Sequence, residues 1–380
     1  MKILEKYSTR DNSITIAKAL AIILMVWGHS GCPLCINRYL NMCRMPLFFF
    51  MSGYCFKESY LYGKSKLWLS KRVKGIYWPY VKWGIVFVLM HNVFFQLHIY
   101  SETFNFRGNA IYPYSLYETL EKMVSVITMH GTERLLGGFW FLKALFYGSL
   151  LFYATCKFIP NRYVGSVFLL AASFLTCFFH LSVPYFRIGS LDLFAAFFIM
   201  IGHLFKTTVI GHQTLAKMLI SNLWVSLVFA IIVGIGSVYW PGSMLDYSWS
   251  GLVPYAITAI MGTIVIFSIG HWINNWDLSA YSGFWFSVLS KIRGFLIYTG
   301  GYTFNVLTWH FLSFKLVNLI IIVFYGLSLE RLGDFPGMSD YAHEGWSIAY
   351  LFIGVVIPIS GTYIYHITTV PLKWTNRSLK

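Results

Sequence analysis

Acidic residues are scarce in this chain. Aspartate and glutamate number 14 among 380 residues, and charges of both signs reach only 11%. A soluble domain carries about a quarter charged residues, so an ordinary soluble fold is excluded. Several catalytic signatures are also missing. There is no Walker loop, no G-x-S-x-G elbow, no H-E-x-x-H and no Rossmann fingerprint, so nucleotide hydrolysis, serine-hydrolase chemistry and zinc proteolysis have no support. Repeats, low-complexity tracts and a cleavable signal peptide are not seen. The six cysteines include Cys32-Pro-Leu-Cys35, which lacks the strand–helix context of a redox motif. Free thiols are the simpler expectation there, with a structural disulfide, also open to Cys43, as the alternative. No second ligand pair with zinc spacing accompanies them, so no metal is expected.

Apolar residues are abundant, at 57%. Long apolar runs recur along the whole length, which predicts an all-α integral membrane protein. Ten spanning helices are read at about 13–33, 43–57, 77–97, 138–156, 163–182, 189–206, 218–239, 252–272, 300–325 and 346–368. The second is short, with Pro46 and Gly53 as points of tilt or breakage, and Pro358 is a kink point in the tenth. The net charge of +15 follows the membrane rather than nucleic acid: with both termini in the cytoplasm, 20 of the 29 lysines and arginines fall on the inner side and 9 elsewhere. Residues 98–137 form a long outer loop. Residues 57–76 form an inner loop whose basic and aromatic alternation suits an amphipathic surface helix. A single integral domain over 1–380, with no appended soluble domain, is the expectation.

His29 is the strongest functional candidate. An ionisable side chain deep in an apolar segment is costly and usually has a function. Lys18 precedes it by eleven residues, about three helical turns, so the two share a face about 16 Å apart along the axis. Gly28 admits close approach beside it. A shielded imidazole near a hydroxyl suits a general base in acyl transfer, or a nucleophile that takes the acyl group itself. His310 enters the membrane from the inner side at a comparable depth and is the second candidate. Lys71, Arg72 and Lys74, with Lys64 and Lys66, suit a phosphorylated donor such as coenzyme A, although inner loops are basic for topology in any case. Arg44 is a permanent five-donor cation for an oxyanion, a sugar hydroxyl or a lipid phosphate. Glu133 and Trp140 are candidates for orienting a polar acceptor, against a surface ion pair and an interfacial aromatic belt.

Lys18-Ala-Leu-Ala-Ile-Ile-Leu-Met-Val-Trp-Gly-His29 resembles the basic-x10-His signature of the acyltransferase family 3 membrane proteins. Arg44-Met-Pro-Leu-Phe-Phe-Phe-Met-Ser-Gly-Tyr54 resembles the family's second-helix motif. Lys71-Arg-Val-Lys-Gly-Ile-Tyr-Trp-Pro-Tyr80, Phe139-Trp-Phe-Leu142 and the Gly-Tyr-Thr…His310 segment are similar too, and in order. Many members place histidine where this chain has Arg44, aspartate where it has Thr15, and arginine where it has Lys18. The resemblance implies a ten-helix bacterial inner-membrane enzyme. It would move an acyl group, commonly acetyl, from cytoplasmic acyl-CoA to a hydroxyl of a surface saccharide or its lipid-linked precursor. His29 would be catalytic, Lys18 near the donor, and Lys71, Arg72 and Lys74 on its phosphates. Acyl-CoA is then a substrate, and no tightly bound cofactor is expected. The alternative is a transporter of saccharide, lipid or protons without bond chemistry. That predicts inverted repeats and paired broken helices, and no repeat is seen. A purely structural protein has no use for the histidine–lysine stripe.

Overall fold

Long apolar runs fold here as helices because a helix satisfies its own backbone in hydrocarbon. The computed structural model describes residues 12–104, 110–278 and 282–375, with the side chains of 370–375 excepted. The helices in order are α1 (Ser13–His29), α2 (Leu34–Tyr54), α3 (Ser65–Arg72), α4 (Trp78–Gln96), α5 (Leu116–Ile127), α6 (Trp140–Phe158) and α7 (Arg162–Phe178). They continue as α8 (Ser190–Ile210), α9 (Gln213–Ser221), α10 (Leu223–Tyr239), α11 (Leu252–Asn274), α12 (Gly283–Gly301), α13 (Thr303–Tyr325) and α14 (Ser347–Thr375). A two-stranded hairpin, β1 (Ser182–Val183) with β2 (Ile188–Gly189), sits between α7 and α8.

Among the described residues five helices are long and apolar enough to cross a membrane, and a sixth if α9 and α10 count as one span bent by 58°. The helices α1 and α7 are apolar but shorter, at 17 residues each. The outer surface carries large exposed apolar side chains, among them Leu89, Phe158, Val167, Trp224, Val323 and Ile348. Such continuous apolar exposure suits lipid rather than water. The protein is an integral membrane protein.

Helix ends differ from the hydropathy pattern where polar residues have a local task. The expected span 218–239 is broken at Asn222, whose side chain accepts hydrogen bonds from the N–H groups of Trp224 (2.9 Å) and Val225 (3.4 Å) and so starts α10 afresh. The expected second span begins at 43, but α2 starts nine residues earlier, at Leu34, and runs through Pro46. Its early turns hold Asn37, Arg38 and Asn41, which read as loop from hydropathy. Inside the outer loop 98–137 lies α5, started by a capping box. Ser115 Oγ accepts from Glu118 N–H (3.3 Å), while Glu118 accepts from Ser115 N–H (2.8 Å). Lys291 and Arg293 mask α12, which packs on α1. A Cβ at Gly300 would collide with the carbonyl of Thr15.

Core packing depends on small residues where backbones touch, as in other membrane bundles. At the α2–α8 crossing a Cβ on Gly53 would strike the Ile199 carbonyl, and one on Gly202 the Phe50 carbonyl. This contact fixes α2 against α8 and so sets the position of α2's polar face. Asn41, Arg44, Met45, Phe48 and Ser52 follow each other at helical spacing along that face, and all of them line cavities.

Candidate active site

His29 is the last residue of α1. It borders a cavity of about 150 Å³ together with Arg44 and Asn41 of α2, Trp140 at the start of α6, and Ser243, Met244 and Leu245 of the α10–α11 loop. Met25, Met45 and Leu307 close its other end. The same three side chains also line a second cavity, of about 320 Å³, that holds Lys18, Arg72, Cys55 and Ser52. The two cavities therefore meet at an apolar waist. On one side are two cations and on the other an imidazole. A further cavity, about 1000 Å³, lies on the opposite face of α13, lined by Asn305, Trp309, Leu312 and Leu316, and His29 does not line it.

Arg44 lies against α1 at Gly28. A Cβ there would overlap the guanidinium and come within 3.0 Å of Asn37 Oδ1. The guanidinium donates to the Met25 carbonyl (3.5 Å) and to Asn41 Oδ1. Among the described residues no carboxylate forms an ion pair with it, and it is only 8% exposed. A buried cation without a counter-ion is costly. In a reaction cavity that cost is recovered when negative charge develops nearby.

His310 is fully buried behind His29, with ring centroids 5.7 Å apart, and the Phe311 ring lies 5.1 Å from His29. Its Nδ1 lies 3.0 Å from the carbonyls of both Val306 and Leu307, so Nδ1 carries the proton and donates. Its Nε2 is buried and has no hydrogen-bond partner among the described residues. An unpaired lone pair is thus held one ring away from His29. The α13 helix begins at Thr303, after a break at Tyr302, and this places the two histidines at matching depth.

The remaining candidates separate. Trp140 borders the His29 cavity. Of the inner basic cluster, only Arg72 lines the second cavity, with its guanidinium over the Trp68 ring at 5.8 Å. Lys71 is exposed and donates to Tyr60 Oη at 3.0 Å, a bond that holds the Tyr60 hydroxyl below its ordinary value. Lys74 is exposed on the surface. Glu133 falls outside both cavities. It is buried, 2.9 Å from His91 Nδ1, and accepts from Tyr100 Oη at 3.1 Å. His91 Nε2 donates to the Tyr112 carbonyl at 2.9 Å, so this cluster ties the outer loop to α4. All six cysteines are free thiols, Cys32 and Cys43 buried and Cys35 and Cys55 exposed. Sequence reasoning missed Asn41, Cys55 and the roof at Ser243–Leu245. Asn41 had a usable signal, one turn before Arg44 on the same face. The roof had none beyond the Pro241-Gly242 turn dipeptide.

No curated protein and no solved structure matches the chain. The family described as an acyltransferase domain matches residues 11–366, which takes in both histidines, both cavities and the inner basic cluster. With that match over nearly its whole length, the chain belongs to the acyltransferase family 3.

Proposed function

We propose that this protein is a single-domain, ten-span inner-membrane O-acyltransferase with cytoplasmic termini. It takes an acyl group, commonly acetyl, from cytoplasmic acyl-CoA and transfers it to a hydroxyl of a surface saccharide or its lipid-linked precursor. The observation that carries this reading is the shared waist. Met25, Met45 and Leu307 belong both to the cavity with Lys18 and Arg72 and to the cavity with His29 and Arg44. Lys18 and Arg72 hold donor phosphates at the membrane surface, and the pantetheine arm passes the waist. Lys71 and Lys74 add positive potential at the mouth without lining it.

His29 takes the acceptor hydroxyl proton as the oxygen attacks the thioester carbon. Arg44 faces the oxyanion of the tetrahedral intermediate. The C–S bond then breaks, and the leaving thiolate takes the proton from His29, releasing CoA thiol. His310 acts as a positioning residue, its ring packed 5.7 Å from that of His29, centroid to centroid, and limiting how that ring turns. Trp140 borders the acceptor side. Glu133 leaves the acceptor contacts and becomes an anchor of the outer loop.

Thiol release from acetyl-CoA by the purified protein, with and without a saccharide pool, tests this. A general base contributes about 10²–10⁴-fold, so His29→Ala should lose saccharide-dependent release by that factor. Saccharide binding with no thiol release from any acyl-CoA would favour transport. Against transport, the one clearly broken pair of spans among the described residues, α9–α10, lines neither of the two cavities, whereas transporters build their sites from broken helices.

A further inference from the structure

The turn that roofs the His29 cavity has a second cavity on its far side. Met244 and Leu245 line both. The far cavity measures about 320 Å³ and also meets Thr176, Cys177, Ser190 and Tyr247. Among the described residues no lysine, arginine, aspartate or glutamate lines it; its polar groups are hydroxyls, a thiol and the His180 imidazole. Ser190 Oγ lies 2.8 Å from Tyr247 Oη and 3.1 Å from Ser173 Oγ. Hydroxyls both donate and accept, whereas an ion would be left uncompensated by such a lining. Beside it the Trp249 and Phe178 rings, 49% and 45% exposed, stand 5.4 Å apart.

The turn itself is self-contained. Ser243 N–H donates to the Asp246 carbonyl at 2.9 Å, and Asp246 N–H donates to the Ser243 carbonyl at 3.2 Å. Ser243 Oγ accepts from the N–H groups of Leu245 and Asp246. Moving it as a unit leaves these backbone groups paired. The side chains common to both cavities are apolar: Met244 is buried and unbranched, which repacks readily, and Leu245 is 57% exposed and free to move.

We infer that the far cavity is the acceptor chamber, built for a neutral, hydroxyl-rich group such as a sugar unit, and that Met244 and Leu245 are the partition that yields as the hydroxyl meets His29. This rests on the acyl-transfer reading above. Donor and acceptor then approach from opposite ends of a row of three cavities, with His29 in the middle one.

Two native thiols report the two ends. Cys55 lines the donor cavity and Cys177 the far one. In the full-length purified protein, maleimide labelling of each is followed by mass spectrometry with CoA, with inorganic phosphate, and with glucose, galactose and N-acetylglucosamine. A neutral sugar should slow Cys177 several-fold and leave Cys55 unchanged, while CoA does the reverse. The inference is overturned if no sugar slows Cys177, or if phosphate does so equally. Sugar protection of Cys177 without CoA protection of Cys55 would instead strike the acyl-transfer reading and leave the sugar chamber standing. Thr176→Trp, which fills the far cavity, should weaken sugar protection by about tenfold or more, equivalent to 1.4 kcal/mol. It should keep CoA protection of Cys55, which also reports an intact fold. Unchanged sugar protection in that variant counts against the assignment.

Discussion

Replacing Gly28 by alanine separates the task of Arg44 from its packing. The added Cβ would overlap the Arg44 guanidinium. What must move is the far end of a flexible side chain, not backbone. Overpacking costs about 1–3 kcal/mol, and alanine in place of glycine inside a helix returns about 1 kcal/mol. Net destabilisation should therefore stay below about 2 kcal/mol, and the protein should fold. Activity should change far more. Loss of one preorganised donor to an oxyanion costs about 10²–10³ in rate, and Gly28→Ala pushes that donor out of place. The assay is saccharide-dependent thiol release, with thermal stability measured in parallel, for Gly28→Ala, Arg44→Ala and the double variant. In the Arg44→Ala background the guanidinium is gone and the methyl meets Asn37 Oδ1 at 3.0 Å instead, so Gly28→Ala should cost much less further. Equal losses in both backgrounds, or full activity in Gly28→Ala, would refute the assignment of charge stabilisation to Arg44.

Other consequences are equally direct. His310→Asn should lower kcat by about 10–100-fold, the range for outer-shell partners of a functional histidine. It should also shift the acid limb of the pH–rate profile, which a merely structural loss would not move. Lys18→Gln and Arg72→Gln should each weaken CoA binding by about tenfold, from about 1.5 kcal/mol for a charged hydrogen bond, whereas Lys74→Gln, outside the cavity, should do so by less. Glu58 accepts from His203 Nε2 at 2.6 Å and Arg162 at 3.3 Å. Burial pushes its carboxyl up, but these bonds outweigh burial and hold it below the ordinary value. A carboxylate held low contributes stability above its unfolded value, about 4.3, and loses that contribution as pH falls through the folded one. Its side chain is 43% exposed, so solvent screening keeps this contribution below about 1 kcal/mol. Thermal melts of Glu58→Gln between about pH 3 and 5 should be flatter than those of the parent.

Hydropathy made most of the bundle legible, because a long apolar run in lipid has few alternatives to a helix. It failed where a helix carries function or lies outside the core. The first turns of α2 are polar because Asn41 and Arg44 face a cavity, so a hydropathy window reads them as loop. The basic pair Lys291 and Arg293 hid α12 in the same way. By contrast α5 carries a local signal that hydropathy does not weigh and that the reading of 98–137 as loop passed over, the capping pattern Ser115-x-x-Glu118. At the site, helical spacing was enough to put Lys18 and His29 on one stripe, and depth was enough to pair His29 with His310. Spacing alone was not enough for Glu133. Adjacency to Trp140 in sequence suggested an acceptor contact, but the side chain turns to His91, 42 residues away. Which of three clustered cations faces a cavity is likewise a rotamer-level fact, and Arg72 alone does so.

On the proposed reading, the apolar waist explains why Lys18 and the base are set about 16 Å apart along α1. Coenzyme A is strongly anionic at its nucleotide end and nearly neutral along its arm. Carrying phosphates past Met25, Met45 and Leu307 would strip them of water at a cost no pair of cations repays. The neutral arm and its thioester cross the same waist cheaply. The nucleotide therefore stays at the inner surface on Lys18 and Arg72, and only the reacting carbonyl reaches His29 and Arg44. The far cavity, lined without a charged residue, applies the same selection in reverse, admitting hydroxyls and excluding anions. Chemistry at His29 is then confined to the one part of each substrate that the membrane interior tolerates.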